Sequence, residues 1–109
     1  MSVFRSVLSF GALLFLAACG PGAGAIPVTL KDHKFTPSEI RVPADRPVLL
    51  SVSNEDATAE EFDSSSLKVE KVIAGHDRGN VRIRPLARGR YPFMGEYHSQ
   101  TAQGVVIAE

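Results

Sequence analysis

From Val28 onward, apolar residues recur at every second position in short runs. Each run ends at proline, glycine or a polar turn. Period two is the repeat of an extended strand with one covered face, and it leaves little room for helix. It is clearest at Val48, Leu50 and Val52 and in Asn80-Val-Arg-Ile-Arg84. Further strands are expected at Val28–Leu30 running on toward His33 and Phe35, at Glu39–Val42, from Glu61, at Val69–Ile73, at Arg90–Met94 and at Gly104–Ala108. A strand about every ten residues between such turns is the signature of a β-sandwich or barrel. Phe35, Leu50, Phe62 and Phe93 read as core, with Val105 and Ile107 inward in the last strand. One helical turn capped by serine fits Ser64–Lys71, and no other helix is expected.

The chain begins differently. Arg5 precedes an uncharged apolar stretch, Val7 to Ala18, that is too short for a permanent membrane span. Leu16-Ala17-Ala18-Cys19 resembles the bacterial lipobox. Residues 1–18 therefore read as a lipoprotein signal peptide, with Cys19 acylated, for example with palmitate. Residues 19–27 read as the lipidated cysteine and a flexible tether, and residues 28–109 as the domain. The other reading is a plain signal peptide with Cys19 near the cut by chance. Gly20 is not the aspartate that often holds such proteins at the inner membrane. The expected location is the periplasmic face of a bacterial membrane, the outer one favoured, with the membrane itself a partner through Cys19.

Cys19 is the sole cysteine. The fold can have neither an intrachain disulfide nor a thiolate metal ligand. Twelve basic and twelve acidic side chains balance, and loss of Arg5 with the leader leaves the remainder one charge negative. That balance gives no sign of a nucleic-acid partner. The arginines do crowd between Arg78 and Arg90, either as solvated strand faces or as a docking patch for an anionic surface.

Several stretches resemble the cupredoxin-like proteins, in particular the small periplasmic group associated with bacterial iron uptake. They are Phe35-Thr-Pro37, Ile40-Arg-Val-Pro-Ala44, Pro47–Asn54, Glu60-Glu-Phe-Asp-Ser64 and Gly89–His98, closing with Thr101-Ala-Gln-Gly104. The resemblance covers residues 28–109 and implies an all-β, Greek-key β-sandwich. It also implies four copper-ligand positions. The early histidine falls on Glu60, the cysteine on Gly95, the second histidine on His98 and the methionine near Ala102. Only His98 matches. A blue-copper centre needs a thiolate, so type 1 electron transfer is not expected.

Other donors stand at the same two loops. Glu60, Glu61 and Asp63 lie on one; Met94, Glu96 and His98 lie on the other; His33 ends the first strand. Carboxylates with imidazole suit a borderline divalent ion, copper or iron among them, and a thioether adds preference for reduced copper. The candidate metal ligands are thus Glu60 or Glu61, Glu96, His98, Met94 and His33. Each has a plainer reading. Glu96 and His98 suit ordinary loop positions, Met94 can fill a core gap, and Asp63 can cap the serine turn. Glu60 and Glu61 compete, because neighbours on a strand face opposite sides. His76 is expected in solvent, on an opposite side or edge. Glu70 is a candidate to orient His98, and Lys71 to balance the carboxylates.

Two functions follow. One is a lipid-anchored metal-binding accessory of iron or copper uptake, working beside an iron permease or a periplasmic metal-binding protein. Ferrous iron oxidation at bound copper is its only catalytic option, and no hydrolase or phosphate-binding motif is present. The other is a metal-free cupredoxin-like scaffold that docks a periplasmic or membrane partner.

Overall fold

The computed structural model describes residues 24–109. The expected leader, Cys19 and most of the expected tether lie outside them. Nine strands follow in order: β1 Ala25–Lys31, β2 Lys34–Thr36, β3 Glu39–Val42, β4 Val48–Asn54, β5 Glu60–Ser64, β6 Val69–Ile73, β7 Asp77–Ile83, β8 Gly89–Gly95 and β9 Gln103–Ala108. They form two mixed sheets, β2-β1-β4-β7 and β3-β9-β8-β5-β6. The parallel pairs are β1 with β4 and β3 with β9. All these pairings and the core lie within residues 24–109.

The sheets enclose an apolar layer because alternate strand positions face inward. Val28 and Leu30, Leu50 and Val52, and Val81 and Ile83 line one sheet, and Phe62 and Phe93 lie on the other. Phe62 and Phe93 stack with ring centres 4.6 Å apart, and Phe35 meets both edge-on. Such pairs add about 0.5–1.5 kcal/mol beyond the area they bury.

Three expectations need correction. The first strand starts at Ala25, inside the expected tether, and runs parallel to β4 from Leu49. Pro27 is tolerated because β1 pairs with β2 only from Thr29 onward, so its missing N–H breaks no ladder on that side. The last strand is phased the other way. Val106 and Ala108 face the core and Val105 is only half-buried, although Ile107 is also covered. Gly104 sets that phase, because a Cβ there would lie 2.3 Å from the Phe93 ring. Finally, residues 65–68 form a turn and no helix. Ser64 Oγ accepts the Leu67 N–H at 3.0 Å, as a capping serine does, but nothing propagates the turn. Among the described residues the one helical element is a 3-10 turn, Glu96–His98, for which strand periodicity gives no signal.

Candidate metal centre

The site lies at the end of the sandwich where β5 begins and β8 ends. Glu60 opens β5 facing inward, and its side chain is 2% exposed. A buried carboxylate is costly unless its oxygens are bonded. Glu60 Oε1 accepts the N–H of Tyr97 at 2.8 Å and of Glu61 at 3.1 Å, and Oε2 lies 2.7 Å from His98 Nδ1. The 3-10 turn supplies two of these partners, because its tight rise aims the Tyr97 amide and the His98 ring at the same carboxylate. With Nδ1 donating to Glu60, His98 presents the Nε2 lone pair outward.

His33 reaches the site from the other sheet. Asp32 and His33 form the two-residue turn between β1 and β2, at φ 54° and 58°. Left-handed backbone at two successive non-glycine residues is strained, and hairpins of this shape usually carry Asn-Gly. Asp56 offsets the strain. Its carboxylate accepts the Asp32 N–H at 2.7 Å and the His33 N–H at 3.0 Å, with His33 Nδ1 at 3.5 Å. Asn54 in turn holds Asp56. Its Oδ1 accepts the Asp56 N–H, and its Nδ2 reaches the carbonyls of Thr58, Ile73 and Ala74. The His33 ring consequently lies flat on that of His98, with centres 3.6 Å apart and planes 13° from parallel.

One donor atom from each of His33, Glu60 and His98 lies within 4.8 Å of the other two. Among the described residues this is the one such grouping. The histidines are part-exposed, at 40% and 29%, above a buried carboxylate. Desolvation pushes the Asp56 carboxyl upward, but the His33 and Asp32 amides and the two imidazoles outweigh it and hold the group below its ordinary value.

The other candidates do not join this group. Glu61 and Asp63 alternate with Glu60 and face outward from β5. Glu70 pairs across from Asp63, so it shares that outer face and does not orient His98. Lys71 pairs with Phe62 and belongs to the opposite face of β6, so it does not balance the acids. Met94, also opposite Asp63, is 38% exposed, and Glu96 is exposed. The Glu61 and Glu96 carboxyls are both raised. For Glu61 desolvation leads, followed by Glu70, Asp63 and Glu60; for Glu96 a hydrogen bond with Asp63 leads. His76 is in solvent, but at this same end of the molecule: its N–H donates to the Asp56 carbonyl at 2.9 Å. Neither Asn54 nor Asp56 is among the candidates the sequence offers. Their one sequence signal is the Asn-x-Asp spacing directly after a strand.

The positions of a blue-copper ligand set do converge here. A Cβ on Gly95 would lie 2.6 Å from Glu60 Cδ and 2.8 Å from Ala102 Cβ. Glu60, Gly95, His98 and Ala102 are therefore one cluster. Gly95 and Ala102 carry no donor, and the Glu60 carboxylate fills the space a side chain at position 95 would need. A type 1 copper does not fit these residues.

A family model described as a cupredoxin-like domain matches residues 6–108. The chain belongs to that family. An uncharacterised protein of Rickettsia prowazekii is 40% identical over 82 residues, which is 75% of this chain and 66% of that protein. The metal-binding domain of the Cu(I)-exporting P-type ATPase CopA of Streptococcus pneumoniae, solved with Cu(I), superposes with TM-score 0.66 at 14% identity, over 78% of this chain and 84% of that one. Amicyanin from Paracoccus versutus gives 0.62 at 19% identity, over 85% and 88%. A purple cupredoxin of Nitrosopumilus maritimus gives 0.59 at 13%, over 77% and 99%. At these identities the solved structures speak for the fold, and the cupredoxin-like sandwich is shared by all three.

Proposed function

We propose that this protein is a lipid-anchored, periplasmic metal-binding module that takes a borderline metal ion at His33, Glu60 and His98. The observation that carries the proposal is the convergence of those three donors on one another at a part-open end of the fold. Two imidazoles and a carboxylate suit Cu²⁺ or Zn²⁺ better than a hard cation. Copper is the first ion to test, since the CopA domain of the same fold was solved with Cu(I). An ion drawing on Glu60 itself would displace the His98 Nδ1 hydrogen. An ion on Nε2 would leave Glu60 behind the ring as the carboxylate that orients it. A role beside an iron permease or a periplasmic metal carrier, with iron as the ion transferred or oxidised, rests on the family resemblance.

The direct His98–Glu60 contact at 2.7 Å favours a second reading. Both Glu60 oxygens already have partners, so the pair can close the site of a metal-free scaffold.

Calorimetric titration of residues 24–109 with Cu²⁺, Cu⁺, Zn²⁺ and Fe²⁺ separates the two. One-to-one binding that disappears in both His33→Ala and His98→Ala establishes the centre. Heats indistinguishable between the parent and these variants would leave the scaffold reading. An ion at a hundredfold its Kd should also add about 2.7 kcal/mol to unfolding stability.

A further inference from the structure

The charges of the fold are sorted along the strand axis. At the end opposite the metal centre stand Arg46, Lys68, Arg82, Arg84, Arg88 and Arg90, all exposed. Among the described residues none of these six has a carboxylate within salt-bridge distance. Arg84 is held in place, with both terminal nitrogens donating to the carbonyls of Leu67 and Ser66 at 2.8 and 3.1 Å, but carbonyls leave its charge uncompensated. The acids toward this end are Asp45, Glu109, Asp63 and Glu70; Glu109 is paired with Arg41 at 3.0 Å, and Asp63 and Glu70 line one hollow with Lys68, which leaves the five arginines as the uncompensated charge. At the metal end stand Glu61 and Glu96, beside the buried Glu60. Lys31, Lys34 and Arg78 there are set against Asp32, Glu55 and Asp77. Roughly 23 Å separates the ends, the length of a seven-residue strand at about 3.3 Å per residue.

The chain enters at the basic end. Gly24 and Ala25 border an open hollow beside Pro47, Leu49 and Arg82. From Cys19 to Gly24 a fully extended chain spans at most about 18 Å. A lipid on Cys19 therefore keeps this end next to the bilayer. Fields from exposed charges reach about 8–10 Å at physiological salt, so close approach is what makes the sorting matter.

We infer that the basic end docks on the anionic phospholipid surface that holds the anchor, which turns the His33–Glu60–His98 end away from the membrane. The orientation rests on the anchor reading of Cys19; the affinity of the basic end for anionic lipid does not. Two arms keep them apart. In the first, the full acylated chain is placed in phosphatidylcholine vesicles with or without phosphatidylglycerol, and a headgroup-borne quencher reads a fluorophore at Ala87→Cys or Gln100→Cys. With phosphatidylglycerol the Ala87 label should be quenched several-fold more than the Gln100 label, and the contrast should shrink without it or in molar salt. Equal quenching of the two labels, or a contrast indifferent to lipid charge and salt, would overturn the inference.

In the second arm, the Cys19→Ala chain is sedimented with phosphatidylglycerol vesicles. Each basic residue near a surface changes partitioning by roughly fivefold, so Arg46→Gln with Arg88→Gln should lower it by about 25-fold. No change in the double variant sinks the basic-end contact. Retention on polyglutamate with none on the vesicles assigns the patch to an acidic protein instead. Mass spectrometry showing no acyl group on Cys19 sinks the anchor alone.

Discussion

Two groups of carboxylates lie back to back across the start of β5. Glu60 faces in and Glu61 faces out, one residue apart. On the inner side, Glu60 receives two amides and an imidazole, and Asp56 receives two more amides. On the outer side, Glu61 and Glu96 are raised, Glu61 by desolvation first and Glu96 by Asp63 first, with the neighbouring carboxylates adding like charge. The same side-chain chemistry is thus stabilised in one place and strained in the other. The difference comes from donors supplied by two tight turns, Asp32–His33 and Glu96–His98, which aim inward only. A carboxylate cluster becomes a built site when the backbone is bent to meet it.

The inner group should therefore be costly to break. Glu60→Ala takes the buried acceptor away from the Tyr97 and Glu61 amides and from the part-exposed His98 ring. A hydrogen bond to a charged group is worth about 1.5–3 kcal/mol, and three are lost together. Urea unfolding of residues 24–109 should show that loss, and a change well under 1 kcal/mol would mean that water replaces the carboxylate freely. Gly95→Ala attacks the same group by volume, since its Cβ must displace Glu60 or Ala102. Overpacking of this kind costs about 1–3 kcal/mol. Metal binding, where present in the parent, should fall with it.

Asp56→Ala comes next, at about 1.5–3 kcal/mol for hydrogen bonds to a charged group. It also frees the strained turn that holds His33 over His98, so loss of affinity for the metal should accompany loss of stability. The pH dependence has a definite sign. The Asp56 value is lowered by folding from the ordinary 3.8, so its contribution is complete above that pH. It is lost as pH falls through the lower folded value. The parent should lose stability on that acid limb, and the variant should lose less.

The sheets were legible in the sequence because half-buried strands leave a period-two trace, and β4 and β7 carry it at Val48, Leu50 and Val52 and at Val81 and Ile83. β9 was phased wrongly because Val105, Val106 and Ile107 are all apolar, so alternation carries no information there; Gly104 against Phe93 decides it. In the site, alternation alone could say that Glu60 and Glu61 part company but not which one faces in. His33 and His98 lie 65 positions apart in the chain, and nothing local announces their stacking. Asp56 carries no decisive local signal, because a polar turn looks the same in sequence whether or not its carboxylate caps another turn. Sequence carried the strands, the donor inventory and the two loops; the pairing of donors depended on backbone reversals that have no periodicity.

The smallest effect, and the opposite in sign, belongs to the outer face. The Glu96 carboxyl is raised from the ordinary 4.5, because its protonated form can hydrogen-bond Asp63 and its ionised form is crowded by that charge. A raised carboxyl binds its proton more tightly folded than unfolded. Stability therefore falls as pH rises from the unfolded value through the folded one, and acidification into that window restores it. Glu96→Gln removes one of the mutually repelling charges while keeping a hydrogen-bonding group beside Asp63. The variant should unfold at a slightly higher temperature than the parent at neutral pH, with the gap closing as the pH is lowered toward 4.5. Metal titration should be unaltered, because Glu96 does not face His33 or Glu60. A drop in affinity would instead bring the outer carboxylates into the site and erase the distinction between the two faces of β5.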